Sequence, residues 1–501
     1  MKISVISGGT ATNELVQLFE SITPNVSYIL PISDNGGSTS ELIRVIGGPA
    51  IGDIRSRLTR LIPLEQKPLQ KLLSFRLSSD SRQAKQEWNE IIEGTHPLWK
   101  PIPVSTREVL RSFLIHINVE LLKRSKHLFA MPAPTGKEFR YELANVGNLF
   151  LTGIRLFVGS LDSAIELFAR VTSINPKIEV LPCINTNFPY HISALLENGL
   201  IITGQSQISH PATAVAVNTS PSTSSKHTDI ISRSTLDVYP PPISQTRETT
   251  PHDDESRTAY FGVPIIGTQP HETPVVVNEV ATCNRRSSIL HDDENHEVHE
   301  EDEVGNIPQY THPDLRISQL HFNKHEIEPL LSPIQRIFYV SPYGQEIRPI
   351  ANYRVTQCLN QSDMIVYSIG SLMTSIIPVI ILRGIGRAII SGSHKKRVLL
   401  LNGCHDRETL NMDAYDFVKV IVELALYSLS DNDNEHNYGE QHKNIPWNRI
   451  VTHLVFMESP KIHVDVERIE SKGIQCVKVT KQKELDYYDT NDLERALKDI
   501  I

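Results

Sequence analysis

Ile3-Ser4-Val5-Ile6-Ser7-Gly8-Gly9-Thr10 is a short apolar run that opens directly onto a glycine loop, and the pattern soon repeats. A helix-like stretch around Leu15, Val16, Leu18 and Phe19 follows. Tyr28-Ile29-Leu30-Pro31-Ile32 then empties into Ser33-Asp34-Asn35-Gly36-Gly37-Ser38-Thr39-Ser40. Strand, loop and helix taken twice read as parallel α/β units. Parallel strands that each end in a Gly/Ser/Thr loop set those loops side by side at the carboxyl edge of the sheet, where open α/β folds bind their ligands. Glycines allow close approach of the backbone, and N–H groups at a helix start favour phosphate. The loops read as a nucleotide or diphosphate site.

The same alternation continues outward. A helix signal near Arg55–Leu64 follows Gly47-Gly48-Pro49-Ala50-Ile51-Gly52-Asp53. Residues 76–140 are richer in charge and read as a helical cover, with Leu110, Phe113, Leu114, Ile117 and Leu121 at helical spacing. Helices are expected from Asn145 to about Val158 and from Ser160 to about Val171. Strands are expected at Ile178–Leu181, Leu200–Thr203, Arg336–Tyr339, Asp363–Tyr367, Val398–Leu401, Ile450–Met457 and Ile474–Val479. Phe417–Tyr427 and Leu493–Ile501 carry helical periodicity, and Asp431–Lys443 reads as a surface loop.

At about Gln205 the composition shifts to Ser, Thr, Pro, His, Asp and Glu, and stays there to about residue 315. Such a segment cannot bury enough apolar surface to offset its ordering entropy, so a disordered insert is expected over 205–315. The His/acid run from His291 to Glu303 reads as solvated charge rather than a metal site. Tyr260–Ile266 is a candidate docking motif for regulatory proteins. The ordered chain is then one α/β core in two parts, 1–204 and 316–501. At 501 residues, insertions or a second domain are expected.

Bulk properties narrow the function classes. A net charge of −9 argues against a nucleic-acid surface. Val366–Ile390 is the most membrane-like stretch, but Ser368, Ser371, Pro378, Arg383 and Arg387 interrupt it. With a strand signal beginning at Ile3, no room is left for a signal peptide, and a cytoplasmic protein is expected. The five cysteines are scattered without a CxxC pair, so neither structural zinc nor a disulfide framework is expected. Cys404 lies beside His405, but reads as a packing residue.

The chemistry rests on small motifs. No Gly-Lys-Ser/Thr follows the glycines and the GxGxxG spacing is missing, which lowers P-loop NTPase and dehydrogenase readings. Asp34, a carboxylate among phosphate-seeking amides, fits Mg²⁺, which takes one or two carboxylates and phosphate oxygens. The alternative is an Asx turn or helix cap. Asp363 opens another strand, ending in Ser368-Ile369-Gly370-Ser371-Leu372-Met373-Thr374-Ser375, and can equally be an edge-of-sheet acid.

Ser7–Thr10, Asp34–Ser38, Gly52-Asp53-Ile54-Arg55, Gly147–Leu151, Leu195–Gln205, Gly370–Pro378 and Asn402 with Arg407-Glu408-Thr409 occur in an order that resembles the CofD/YvcK family. That family joins 2-phospho-L-lactate transferases to bacterial gluconeogenesis factors. The resemblance implies a Rossmann-like three-layer α/β sandwich with a mainly parallel sheet and a ligand across the strand carboxyl ends. In the transferase branch a phospholactyl group moves from a guanosine diphosphate adduct to a deazaflavin alcohol with Mg²⁺. In the other branch the pocket binds UDP-sugars and the protein regulates carbon metabolism. Carried onto this chain, Gly8, Gly9, Thr10, Asn35, Gly36, Gly37, Ser38, Gly52, Asp53, Arg55, Asn148, Ser371, Thr374 and Ser375 become nucleotide- and phosphate-binding residues. Asp34 and Asp363 become the metal-binding acids, and a homodimer is expected.

Asn35 stands where the transferases carry a second acid, which favours the UDP-sugar reading. Ala11 and Ser40 replace usual glycines, and Arg407 stands in place of another. The expectation is a nucleotide-diphosphate-binding protein; the alternative is a Mg²⁺-dependent transferase. No catalytic residue is assigned.

Overall fold

The computed structural model describes residues 1–33, 36–129, 138–209, 329–341, 343–430, 444–457, 461–482 and 487–501. Most of the 205–315 segment, the Asp431–Lys443 stretch, Asp34 and Asn35 therefore lie outside the described residues. The described residues fall in one compact unit.

Eleven strands are described: β1 (Ile3–Ile6), β2 (Val26–Leu30), β3 (Glu179–Pro182), β4 (His191–Leu196), β5 (Ile201–Thr203), β6 (Ile334–Val340), β7 (Glu346–Ile347), β8 (Met364–Tyr367), β9 (Lys396–Leu400), β10 (His453–Met457) and β11 (Gln475–Val479). Seven form one sheet in the order β11-β10-β9-β8-β1-β2-β3, and every pairing in it is parallel. Every residue of β1, β2 and β8 is buried. A parallel sheet covered by helices on both faces requires that pattern, which is why these strands read as unbroken apolar runs. The other four strands make an antiparallel sheet, β5-β4-β6-β7.

The helices up to the end of the first segment are α1 (Val16–Ile22), α2 (Ser38–Val45), α3 (Gly52–Arg60), α4 (Lys67–Ser74), α5 (Ser81–Glu93), α6 (Val104–Phe129), α7 (Val146–Val158), α8 (Leu161–Val171) and α9 (Gln205–Ser209). α9 moves the start of the compositional insert: the first five of its residues are helical, with Ser206 and Ile208 buried. The helical cover over 76–129 is built by α5 and α6. Trp88 and Trp99 are buried in it, and their indole N–H groups donate to Asn118 Oδ1 at 2.9 Å and to the Ile91 carbonyl at 3.0 Å. Among the described residues no helix is long and apolar enough to cross a membrane.

The topology fixes where a ligand can sit. From β1 the chain builds outward through β2 and β3 on one side. From β8 it builds outward through β9, β10 and β11 on the other. The winding direction therefore reverses between β1 and β8, and the crevice outside their carboxyl ends is the topological switch point.

Candidate nucleotide site

Two loops leave the switch point from adjacent strand ends. Ile6 is in register with Tyr367, the Ser368 N–H donates to the Ile6 carbonyl at 3.0 Å, and the Ser7 N–H donates to the Ile29 carbonyl at 3.1 Å. Ser7–Thr10 and Ser368–Ser375 thus face each other across the end of the sheet. The approach is close enough to require glycine. A Cβ at Gly8 would fall 2.6 Å from Ser375 Oγ, and one at Gly9 would fall 2.3 Å from Asp53 Oδ1 and 2.8 Å from the Asp53 Cα. Thr10 is exposed at the rim. The hydroxyls of Thr10, Ser371 and Ser375 have no partner among the described residues, so three donors stand around the crevice for a ligand.

The first loop is held from below by Arg57, a residue absent from the sequence-derived site. Its side chain is fully buried, lies over the Tyr28 ring at 4.5 Å, and donates to the Gly8 carbonyl at 3.1 Å, the Thr12 carbonyl at 3.3 Å and Ser7 Oγ at 3.4 Å. Burial pushes its pKa down to about 10. With the Gly8 carbonyl turned toward Arg57, the trans peptide aims the Gly9 N–H the opposite way.

The loop after β8 is held by two side chains from the loop after β9. Asn402 pairs with the Gly370 peptide on both edges, accepting from its N–H at 3.1 Å and donating to its carbonyl at 2.8 Å. Glu408 is buried and accepts from the N–H groups of Met373 and Thr374 at 3.1 Å each, from Thr374 Oγ1 at 2.6 Å, and from Ser209 Oγ of α9. Burial and then the neighbouring Asp406 carboxylate push Glu408 up to about 7, against those donors. Thr374 is thus occupied by an internal acid, whereas Ser371 and Ser375 stay open. Arg407, the residue in place of a usual glycine, donates to the Gln207 carbonyl at 3.1 Å and ties the same loop to α9.

The loop after β2 turns into α2 at Gly37, whose φ of +56° suits glycine, and Ser40 Oγ donates to the Gly37 carbonyl at 2.7 Å. Ser38 accepts from Asn148 Nδ2 at 2.5 Å, and Asn148 Oδ1 accepts from Arg55 Nε at 3.1 Å. Ser38, Asn148 and Arg55 are therefore one hydrogen-bonded chain linking α2, α7 and α3. Gly52 opens α3, and Asp53 in its first turn meets Gly9.

The metal assignment needs correction at Asp363. It lies at the amino end of β8, 63% exposed, and accepts from the Lys2 backbone N–H at 2.7 Å. A four-residue strand separates it from Ser368, a span of about 16 Å. An acid before a parallel strand sits at the edge of the sheet opposite the glycine loops, so it cannot share a cation with them. The carboxylate that does meet the glycines is Asp53. Cys404 also departs from expectation: it is exposed in the loop after β9 rather than packed.

Two clefts, with volumes of about 310 and 240 Å³, open elsewhere. One lies at the amino ends of β9, β10 and β11 beside Lys396, His453 and Gln475, the other near Glu179 at the start of β3. Neither touches a glycine loop, and the switch point remains the better candidate on chemistry.

An open, parallel α/β sheet with opposed glycine and hydroxyl loops at its switch point defines a protein of the doubly wound class. Within that class the chain belongs to the CofD family, described as 2-phospho-L-lactate transferase CofD, whose profile residues 3–481 match. It is 39% identical over 505 residues to the uncharacterized protein YNL011C of Saccharomyces cerevisiae, covering 100% of this chain and 99% of that one. Shorter matches join it to two proteins named "putative gluconeogenesis factor". The one from Thermotoga maritima is 29% identical over 93 residues, 18% of this chain and 29% of that one. The one from Nostoc is 36% identical over 75 residues, 15% of this chain and 16% of that one. A crystal structure of a UPF0052 family member from Bacillus halodurans shares the fold, with a TM-score of 0.52 at 15% identity, covering 99% of this chain and 98% of that one.

Proposed function

We propose that the protein binds a nucleotide diphosphate of the UDP-sugar class across the switch-point crevice and serves in regulating carbon metabolism. The observation that carries the binding is the meeting of Ser7–Thr10 with Ser368–Ser375, where a Cβ at Gly8 would fall 2.6 Å from Ser375 Oγ and one at Gly9 would meet the Asp53 backbone. Backbone N–H groups of the first loop and the open hydroxyls of Thr10, Ser371 and Ser375 are the donors for phosphate oxygens. The match to proteins named as gluconeogenesis factors supports the regulatory role. Calorimetric titration with UDP-N-acetylglucosamine, UDP-glucose, GDP and GMP, each with and without Mg²⁺, tests the reading. Uridine-selective saturation supports it, and silence across the panel refutes it.

A specific observation also favours a second reading, a Mg²⁺-dependent transferase: the Asp53 carboxylate lies against the phosphate-type loop. Beside an anionic ligand that acid fits a divalent cation, which would neutralise charge on the transferring phosphoryl group. Asp53 would then hold the cation, and Gly8, Gly9 and Ser375 would position the donor. Release of a nucleoside monophosphate on adding an acceptor would establish this reading.

A further inference from the structure

The first turn of α3 carries Asp53 and Arg55, and residues two apart on a helix point to different sides. Asp53 points to Gly8 and Gly9. Arg55 points to the amino end of α7, and its stem fills the space beside Gly147, where a Cβ would come 2.9 Å from Arg55 Cδ and 2.2 Å from the Leu73 carbonyl. Its Nε donates to Asn148, which in turn donates to Ser38.

One edge of the guanidinium is therefore anchored. Its terminal nitrogens, Nη1 and Nη2, have no partner among the described residues. Two charged groups act on it in opposite senses, Arg76 as a like charge and Asp53 as an opposite one. Burial, then Arg76, pushes its pKa down to about 10. A structural arginine usually commits its terminal nitrogens to carboxylates or carbonyls, as Arg57 commits Nη1 and Nη2 to the Thr12 and Gly8 carbonyls. A half-buried fork held in plane by one edge, with the other open, is a receptor for a planar two-oxygen anion.

Resting on the nucleotide reading above, we propose that Arg55, oriented by Asn148 and Ser38, receives a carboxylate on the substituent linked to the ligand's diphosphate, so that the crevice selects acidic sugar nucleotides over neutral ones. The diphosphate takes the Gly8–Gly9 side of the α3 turn, and the acidic group takes the Arg55 side. Asp53 between them disfavours a ligand that places its acid on the wrong side of that turn.

The test compares UDP-glucuronic acid with UDP-glucose, which differ by a carboxylate against a hydroxymethyl group. For the wild-type full chain, calorimetry is expected to give UDP-glucuronic acid an affinity about tenfold higher, the scale of one charge-assisted bidentate contact. In Arg55→Gln the loss on UDP-glucuronic acid is expected to exceed the loss on UDP-glucose by a similar factor. Arg55→Lys, which keeps the charge without the fork, is expected to retain part of the preference. Equal wild-type affinities, or equal losses on both ligands in Arg55→Gln, overturn the assignment while leaving nucleotide binding intact. Silence of the wild type toward both overturns the nucleotide reading and this assignment with it. The wild-type comparison needs no variant, so misfolding of Arg55→Gln does not remove the test.

Discussion

Gly8 and Gly9 look alike in sequence and differ in what surrounds them. A methyl group at Gly8 would meet the movable end of Ser375, but one at Gly9 would meet the backbone of Asp53. Gly9→Ala is therefore expected to cost about 1–3 kcal/mol of stability and most ligand affinity, and Gly8→Ala clearly less. Denaturant titration of both variants checks the ranking. Glu408 gives a prediction with a definite sign. Its carboxyl is raised above the ordinary value in the folded chain, so the folded state binds the extra proton between about pH 4.5 and 7. Its contribution to stability is present at low pH and is lost as pH rises through its folded pKa. The unfolding free energy of Glu408→Gln is thus expected to depend less steeply on pH across that window than wild type, and parallel profiles would contradict this. At this scale the sequence was only half legible. Gly8, Gly9, Asp53 and Ser375 meet at the first loop, while Ser38, Asn148 and Arg55 form a separate hydrogen-bonded group on the other side of α3. Arg57 carries no local signal and Glu408 is marked only by its place in the Arg407-Glu408-Thr409 motif, because an arginine on a helix and an acid in a loop reveal their partners only once distant segments meet. Asp363 misled because its neighbours in sequence do face the crevice, yet it stands at the other end of their strand.

At the scale of elements, continuous apolar runs located the buried strands, since both faces of a parallel sheet are covered. β4 gave a weaker signal. His191 and Ser193 interrupt its apolar run, and its partner β6 lies beyond the long compositional insert. α9 was hidden for a similar reason: Gln205-Ser206-Gln207-Ile208-Ser209 is polar, and its helix leans on Glu408 and Arg407 from the far half of the chain. α3 shows how an element positions the site. It carries Asp53 toward the glycines, Arg55 toward α7, and Arg57 beneath the first loop. Replacing Arg57 by Leu leaves the Gly8 and Thr12 carbonyls buried without donors, at a cost of about 3 kcal/mol. Urea unfolding of Arg57→Leu should show that loss together with weakened ligand binding. Unaltered stability would mean that the loop does not depend on this arginine.

For the whole molecule, the informative feature is the pairing of β1 with β8, Ile3 beside Met364. Sequence reading supplied the units and the kind of loop at their ends. It could not supply this adjacency from local pattern, because register between strands so far apart is set by burial of the assembled sheet. The family resemblance implied it, and the strand order makes it concrete: the switch point falls between the two loops that carry glycines and free hydroxyls. A negatively charged chain that takes an anionic ligand must do so through local donors rather than through its overall field. The arrangement around Gly8, Ser375 and Arg55 has that character.

The most direct measurement is calorimetric titration of the full chain with UDP-N-acetylglucosamine, repeated for Asp53→Asn, Gly9→Ala and Asp363→Asn. Saturable binding by wild type and Asp363→Asn, lost in Gly9→Ala and stripped of any Mg²⁺ dependence in Asp53→Asn, is the expected result. Binding that survives Gly9→Ala but fails in Asp363→Asn would put the ligand at the opposite edge of the sheet and contradict the switch-point site.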